Sequence, residues 1–132
     1  MSYSSYGSRR FKPNPPASEQ AVSDLMAALS KPLPESFMAF FKRANGGEGF
    51  VGKRYVQLWR AEDLIEYNKG YKVAEFAPDF FLIGSDGGGE AYAFDLSSLD
   101  SAVLEIPFIP LDRLESRRIA DSFDSFIARI RV

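Results

Sequence analysis

The sequence predicts a single α+β domain, in which helices pack against one sheet. Its 132 residues correspond to one domain rather than two. Hydrophobic residues make up 45% of the chain and charged residues 26%, as expected for a globular domain that buries one core. Two helical patterns near the start are followed mostly by strand patterns and then by a last helix, and this order indicates α+β.

The composition of residues 1–17 predicts a flexible polar arm. The domain itself is expected to span residues 18–132. Serine, tyrosine and glycine dominate the first residues, and Pro13, Pro15 and Pro16 favour extended backbone at the end of the arm. The arm also carries three basic residues, Arg9, Arg10 and Lys12. A short RNA- or membrane-binding tail is one interpretation, but three basic residues without a repeat favour a solvated tail.

Two amphipathic helices are predicted at the start of the domain. The first begins after the candidate N-cap Ser18. Its apolar residues, at helical spacing, are Val22, Leu25, Met26 and Leu29. The second begins at Pro34, which a first helical turn tolerates because the N–H that proline lacks has no partner there. Its apolar face consists of Phe37, Phe40, Phe41 and Ala44.

The segment Asn45-Gly46-Gly47 is predicted to end the second helix and to lead into an extended strand. Asparagine and glycine tolerate the left-handed conformation that closes a helix C-terminus. A ligand-binding loop is the alternative, but nothing else in the sequence supports it.

Strands are predicted through the middle of the chain. Residues 55–59 are rich in β-branched and aromatic side chains and predict a strand, which a short helix over residues 61–68 follows. The apolar runs 80–83 and 91–94, joined by a glycine-rich loop, predict a hairpin. Neither run alternates with polar residues, which favours strands covered on both faces. Residues 103–106 predict a further strand.

The C-terminal segment predicts the clearest helix of the chain. Its apolar residues fall on one helical stripe, and they are Ile119, Phe123, Phe126, Ile127 and Ile130. We therefore expect a helix that includes Ile119 and continues to the end of the chain.

The loop of residues 84–90 is the most conspicuous motif. Its glycines are Gly84, Gly87, Gly88 and Gly89. A phosphate cradle is disfavoured, because the Gly-Lys-Ser/Thr ending of a P-loop is missing and because Asp86 and Glu90 would repel a phosphate. A calcium loop is disfavoured because the carboxylates do not follow EF-hand spacing. We predict a structural turn with positive φ at consecutive residues, a conformation that glycine adopts without steric cost.

The absence of cysteine and histidine excludes much familiar chemistry. Without cysteine there are no disulfides, thiolate zinc sites or cysteine nucleophiles. Without histidine there is no Ser-His-Asp triad, no HExxH site and no imidazole acid–base step. We therefore predict neither a cofactor nor a metal. The short apolar runs and the polar first residues predict no membrane span and no export signal, and hence a cytoplasmic protein.

Charge is distributed unevenly along the chain. Residues 73–112 contain eight acidic residues and no lysine or arginine, whereas residues 1–72 and 113–132 have net charges of +4 and +2. If the eight carboxylates face one way, they repel nucleic acid and membrane surfaces and attract a basic protein. The predicted partner is therefore a basic protein domain, and neither nucleic acid nor a membrane.

Two other groups of side chains are candidates for a site. Asp86, Glu90 and Asp95 offer carboxylates for acid–base hydrolysis, but an odd step along a strand places Glu90 and Asp95 on opposite faces. No basic residue lies nearby in the sequence to tune one carboxylate against another. The second group is aromatic and consists of Trp59, Tyr67 and Tyr71. Such residues near strand ends more often face the core or a protein partner than bases or sugars.

Several short motifs follow one another between about Pro32 and Phe126. They are Leu33-Pro34-Glu-Ser-Phe37, Asn45-Gly-Gly-Glu-Gly49, Leu58-Trp59, a helix with Asn68 and Tyr71, Pro78, Ile83-Gly84, Gly-Gly-Glu90-Ala-Tyr-Ala-Phe-Asp95 and Ile106-Pro107. No single motif is specific, but their order and spacing resemble the SUKH superfamily, which includes fungal cell-wall-assembly regulators of the Smi/Knr type. The resemblance implies an α+β fold with a strongly twisted, mainly antiparallel sheet and flanking helices.

The resemblance also implies a function in binding. Many bacterial members of the SUKH superfamily are immunity proteins that neutralise toxins, often nucleases, by direct contact, and the superfamily has no recognised catalytic residues. We therefore expect a non-enzymatic immunity protein that binds a basic toxin domain through an acidic surface.

The candidate partner-binding residues are Asp79, Asp86, Glu90 and Asp100, with exposed aromatic residues nearby as anchors. A regulatory scaffold without a toxin partner is the first alternative, as the fungal relatives suggest. A carboxylate-dependent hydrolase that uses Asp86 or Glu90 is the second. The sequence leaves open whether the protein is a monomer or a homodimer.

Overall fold

A computed structural model describes residues 10–128 of the chain. Within these residues, seven strands form one antiparallel sheet in which each strand pairs with its neighbours in sequence. The strands are β1 (Lys12–Pro13), β2 (Gly47–Val51), β3 (Arg54–Leu58), β4 (Phe80–Ser85), β5 (Glu90–Asp95), β6 (Val103–Pro107) and β7 (Arg117–Ala120). The helices are α1 (Glu19–Ala28), α2 (Glu35–Phe40), α3 (Ala61–Gly70), α4 (Val73–Phe76) and α5 (Phe123–Phe126), with a 3₁₀ turn over Arg113–Glu115. The predicted α+β fold is confirmed.

The central hairpin of β4 and β5 is buried on both faces, as its continuous apolar runs predict. On one face, phenylalanine rings from α2, β5 and α5 meet edge to face. The ring of Phe37 lies 5.4 Å from that of Phe94 and 5.1 Å from that of Phe123. On the other face, Leu82 and Ile106 pack in a second core, to which α4 also contributes. Much of the chain's phenylalanine therefore stabilises the fold.

The first two helices begin close to their predicted positions. Ser18 is the N-cap of α1, and its Oγ accepts a hydrogen bond of 3.0 Å from the backbone N–H of Ala21. Pro34 is the N-cap of α2 rather than its first helical residue, so this helix begins one residue later than predicted. The predicted apolar face of α2 is confirmed in part: Phe37 and Phe40 are buried in the helix, whereas Phe41 and Ala44 are buried beyond its end.

The predicted C-terminal cap of α2 is wrong. The helix ends at Phe40, ahead of Asn45, and Gly47 already belongs to β2. Gly46 does adopt a left-handed backbone (φ 73°), but for a different reason: a Cβ there would lie 2.3 Å from the carbonyl oxygen of Leu58. The glycine therefore allows the entry to β2 to pass close to the end of β3.

The prediction of a long C-terminal helix is also wrong. Residues 117–120 form β7, which pairs with β6, and Ile119 therefore lies in a strand. The helix α5 spans only Phe123–Phe126 and begins at the N-cap Ser122, whose side chain accepts a hydrogen bond from the N–H of Ser125. The last residue of the predicted stripe, Ile130, lies outside the described residues.

The described part of the predicted N-terminal arm lies along the edge of the sheet. Lys12 and Pro13 form β1 against β2, and the backbone N–H of Phe11 donates to the carbonyl oxygen of Phe50 at 3.1 Å. The Phe11 side chain packs against the core. Residues 10–17 are therefore held by backbone hydrogen bonds, although most of their side chains are exposed, and residues 1–9 lie outside the described residues.

Asn45 connects this part of the chain to the start of α3. Its Oδ1 accepts a hydrogen bond of 2.8 Å from the backbone N–H of Ala61, and its Nδ2 donates to Oε1 of Glu62 at 2.8 Å. Arg60, the N-cap residue of α3, makes no capping hydrogen bond with its own side chain. Asn45 therefore caps α3 from a distant part of the sequence, and its hydrogen bond lowers the pKa of Glu62.

Replacing Asn45 with alanine is expected to lower the free energy of unfolding by about 2 kcal/mol, because a buried N–H at the start of α3 loses its acceptor. The stability that Glu62 gains from its lowered pKa is present above the pKa of an unfolded glutamate, about 4.3, and is lost as the pH falls through the folded value. Urea unfolding at several pH values should therefore show that the difference in free energy of unfolding between the wild-type and Asn45→Ala proteins becomes smaller in acid.

The matched control is Gln20→Ala, which removes an exposed hydrogen bond to Asp24 on α1. We expect it to change the free energy of unfolding by no more than about 0.5 kcal/mol. An Asn45→Ala protein whose loss of stability is equally small, or does not depend on pH, would contradict the capping role.

Candidate functional site

An aromatic cleft opens on the surface between β3, α3 and the β4–β5 hairpin. Its aromatic residues are Trp59, Tyr67, Tyr71 and Phe108, and its volume is about 500 Å³. Trp59 directly follows β3, and Phe108 directly follows β6. Tyr67 and Tyr71 are four residues apart at the end of α3, so they lie on the same side of the helix.

The four rings of the aromatic cleft form a continuous row. The Trp59 and Tyr67 rings are stacked with centroids 4.4 Å apart, and the Trp59 and Tyr71 rings are almost parallel, at 10° and 6.4 Å. The Tyr71 ring lies 4.6 Å from that of Phe108. Tyr67 and Tyr71 are nevertheless 41% and 39% exposed. The rings of the row contact one another, yet two of these large side chains remain partly open to solvent. Partly exposed aromatic side chains of this kind are typical of a binding surface.

The glycine-rich hairpin lines one side of the aromatic cleft with backbone. Oδ1 of Asp86 accepts hydrogen bonds from the N–H groups of Gly88, at 2.8 Å, and Glu90, at 3.2 Å. The N–H of Phe108 donates to the carbonyl oxygen of Gly89 at 2.9 Å, which ties the hairpin to the opposite side of the cleft. The loop therefore holds its shape through a carboxylate within it, and we find here a structural role for Asp86.

The predicted run of positive φ angles in this loop is wrong. Gly87 is left-handed (φ 82°), but Gly88 and Gly89 are not, because Ser85 and Asp86 hold the turn through side-chain hydrogen bonds. Gly84 lies within β4, where it pairs with Leu58 and Tyr92, and is not part of the turn.

The four predicted partner-binding carboxylates do not lie together. Asp86 and Glu90 share the hairpin beside the aromatic cleft. Asp79, just before β4, forms an ion pair of 2.7 Å with Lys31. Asp100, in the loop between β5 and β6, pairs with Arg118 at 2.6 Å, and this arginine lowers the pKa of Asp100.

The acidic segment of residues 73–112 does not form one acidic surface. Asp79 and Asp100 are paired as described above, and Asp95 pairs with Arg113 at 3.2 Å. The buried carboxylate of Glu105 contacts both Arg54, at 2.8 Å, and Arg117. Every one of these cations lies outside the segment, so the fold neutralises half of its eight carboxylates.

Glu90 differs from the paired carboxylates. Partial burial raises its pKa, and the negative charge of Glu105 raises it further, while Arg117 acts in the opposite direction. Among residues 10–128, no lysine or arginine lies within ion-pair distance of Glu90. Glu90 therefore has no ion-pair partner in this part of the chain. Residues two apart in a strand share a face, so its side chain lies on the side of Tyr92 and Glu105, opposite to the aromatic cleft.

Replacing Glu90 with glutamine is expected to raise the free energy of unfolding at pH 7 slightly, by no more than about 0.5 kcal/mol. The folded protein disfavours the charged carboxylate, so this group destabilises the protein as the pH rises through its raised folded pKa. The gain should disappear below the pKa of an unfolded glutamate, about 4.3. Parallel urea titrations at pH 4 and pH 7 measure it, and a less stable Glu90→Gln protein at pH 7 would contradict the prediction.

No group of three or more acidic side chains between residues 10 and 128 is arranged to hold a metal ion. No helix in this part of the chain is long and apolar enough to cross a membrane.

The comparison with protein families identifies the fold. The SMI1 / KNR4 family (SUKH-1) matches residues 16–129, which include every helix and six of the seven strands described above. The chain belongs to this family. The match confirms the resemblance found in the sequence, and it places this SUKH-1 protein among interaction and immunity domains that are generally non-enzymatic. No curated protein matches the chain.

The sequence of this SUKH-1 protein identified part of the aromatic cleft. It grouped Trp59, Tyr67 and Tyr71, and the spacing of the two tyrosines was the available signal. It did not include Phe108, because the position of this residue depends on how β5 and β6 pair. Nor did it indicate that the glycine-rich hairpin forms a side of the cleft.

Proposed function

We propose that this SUKH-1 protein is an immunity protein that binds its cognate toxin through the aromatic cleft and the carboxylates beside it. The observation that carries the proposal is the exposed row of stacked rings around Trp59. Aromatic side chains supply much of the binding energy at protein interfaces, particularly when they line a preformed pocket. Family membership supports a role in protein–protein interaction.

The charges beside the cleft favour a basic toxin surface. Asp86 contacts only backbone N–H groups of its own loop. Glu90, whose side chain lies on the opposite face of the same hairpin, has no ion-pair partner among the described residues. A nuclease toxin binds phosphates with lysine and arginine, so carboxylates placed at its active site accelerate association and block the nucleic acid. We propose smaller contributions from Asp79 and Asp100, since each would exchange an existing ion pair for a new one.

Co-expression with the toxin encoded beside the gene tests this proposal. The wild-type protein is expected to restore growth and to co-purify with the toxin. The double variant Tyr67→Ala/Tyr71→Ala removes two rings of the cleft and is expected to weaken binding roughly thirtyfold or more, as truncation at an interface hot spot does. The matched control is Leu99→Ala, which shortens a fully exposed apolar side chain in the loop after β5.

The outcomes separate immunity from regulation. Failure of the wild-type protein to relieve the toxicity of any adjacent toxin would overturn the immunity proposal. Loss of rescue with Leu99→Ala but not with the tyrosine variant would move the binding surface away from the aromatic cleft. A gene with no toxin beside it would favour the alternative, a regulatory interaction domain.

A further inference from the structure

We propose that the aromatic cleft binds a proline-rich segment of the partner in the polyproline II conformation, with a basic residue of that segment next to Asp86. The inference rests on the proposed protein-binding function and specifies the kind of segment that the cleft recognises. It follows from the hydrogen-bonding groups, the shape and the charge of the cleft.

The polar groups of the aromatic cleft match a segment that only accepts hydrogen bonds. The indole N–H of Trp59 and the hydroxyl groups of Tyr67 and Tyr71 make no hydrogen bond to any residue between 10 and 128. Polyproline II has no internal hydrogen bonds, so its carbonyl oxygens are free to accept from such donors. Proline also has no N–H, and a proline-rich segment therefore brings few donors that would need acceptors in the cleft.

The shape of the aromatic cleft favours an extended segment over a helix or a strand. One helical turn, about 10 Å across and about 5.4 Å long, occupies roughly 400 Å³, so a cleft of about 500 Å³ would hold little more than a single turn. A strand needs a free sheet edge, but at the cleft Gln57 of β3 is paired with Ser85 of β4, which is paired in turn with Ala91 of β5. The exposed parts of the Tyr67 and Tyr71 rings instead provide apolar surfaces for proline rings, and a rigid segment loses little entropy on binding.

Charge complementarity places the basic residue at one end of the segment. No charged side chain lines the aromatic cleft itself. The neighbouring depression, which shares Gln57 and Gly87 with the cleft, is lined by two carboxylates, those of Glu48 and Asp86, and by one cation, that of Lys12. An uncharged cleft with carboxylates at one end is complementary to a neutral proline-rich run that ends in arginine.

Trp59 provides a direct measurement, because it is the only tryptophan in the chain. The full-length protein is titrated with a capped polyproline peptide that carries one terminal arginine, and tryptophan fluorescence is recorded. We expect a saturable change. A peptide in which alanine replaces every proline is expected to bind at least tenfold more weakly than the original peptide. At low salt, a peptide in which glutamate replaces the arginine is also expected to bind more weakly than the original peptide.

Variants locate the binding in the cleft. Tyr71→Ala is expected to raise the Kd roughly thirtyfold, and Tyr71→Phe, which keeps the ring but removes the hydroxyl donor, is expected to raise it less. Leu99→Ala should bind like the wild-type protein. Far-UV circular dichroism of each variant shows that it is folded, and Tyr71→Phe remains informative if Tyr71→Ala does not fold.

The outcomes distinguish this inference from the proposed function. An absent fluorescence change, or equal binding of the alanine peptide, would overturn polyproline recognition even if the toxin still co-purifies and depends on Tyr71. Specific peptide binding without neutralisation of any adjacent toxin would support the recognition of a proline-rich segment and overturn the immunity proposal.

Discussion

Gly84→Ala is expected to lower the free energy of unfolding by about 3 kcal/mol or more. A Cβ at this position would lie 2.1 Å from the carbonyl oxygen of Gln57 and 3.1 Å from its carbonyl carbon, well inside van der Waals contact. Gly84 is paired with Leu58 on β3 and with Tyr92 on β5, so β4 cannot move away from one neighbour without disturbing the other. A typical domain has only about 5–15 kcal/mol of stability, so urea unfolding should show a large loss.

Gly89→Ala in the same motif is the matched control. A Cβ at Gly89 would have no heavy atom within 4 Å, and its backbone is not left-handed. We expect a change of no more than about 0.5 kcal/mol. Equal stability of the two variants would contradict the close approach of β3 and β4 at Gly84. The two glycines look equivalent in the sequence, and only the pairing of distant strands distinguishes them.

Elements with a strong local signal could be predicted from the sequence. Ser18 caps α1 as predicted, and the apolar runs of β4 and β5 form the predicted hairpin. In each case the preference of a short segment agrees with its surroundings in the fold: a serine hydroxyl has a backbone N–H to accept from, and a run without polar residues is covered on both faces.

Where distant pairing determines the structure, the local pattern was misleading. Ile119 and Phe123 are four residues apart, which fits a helix as well as it fits a strand followed by a new helix. Hydrogen bonds to β6 place Ile119 in β7, and the capping serine Ser122 starts α5 only after that strand has ended. Tertiary context therefore overrides helical periodicity at this position.

The distribution of charge along the chain was misleading for the same reason. Asp79 and Lys31 are 48 residues apart, and the fold joins them across the groove between α1 and β4. The carboxylate of Glu105, on β6, contacts Arg54, 51 residues away on β3. Asp86 and Glu90 keep no cation within ion-pair distance among the described residues, but alternation along β5 puts the Glu90 side chain on the face opposite to the aromatic cleft.

Asn68→Ala is expected to lower the free energy of unfolding by about 3 kcal/mol. The ladder between β3 and β4 ends at Gly84, next to a bulge, so the backbone of Leu82 has no strand partner on this side. Asn68 replaces the missing strand: its Oδ1 accepts from the Leu82 N–H at 2.8 Å, and its Nδ2 donates to the Leu82 carbonyl oxygen at 3.0 Å. Alanine at position 68 leaves the N–H and the carbonyl oxygen of the fully buried Leu82 unpaired, and each unpaired group lowers the free energy of unfolding by about 1–3 kcal/mol.

Two further variants test whether these hydrogen bonds cause the loss. Asn14→Ala removes one hydrogen bond, from its Nδ2 to the carbonyl oxygen of Asn45, and is expected to cost only about 1 kcal/mol. Asn68→Asp keeps the acceptor for the Leu82 N–H but places a carboxylate beside the carbonyl oxygens of Leu64 and Leu82. It should therefore become less destabilising as the pH falls and the acid gains a proton to donate. An Asn68→Ala protein as stable as Asn14→Ala would mean that β4 does not depend on α3 for its missing strand partner.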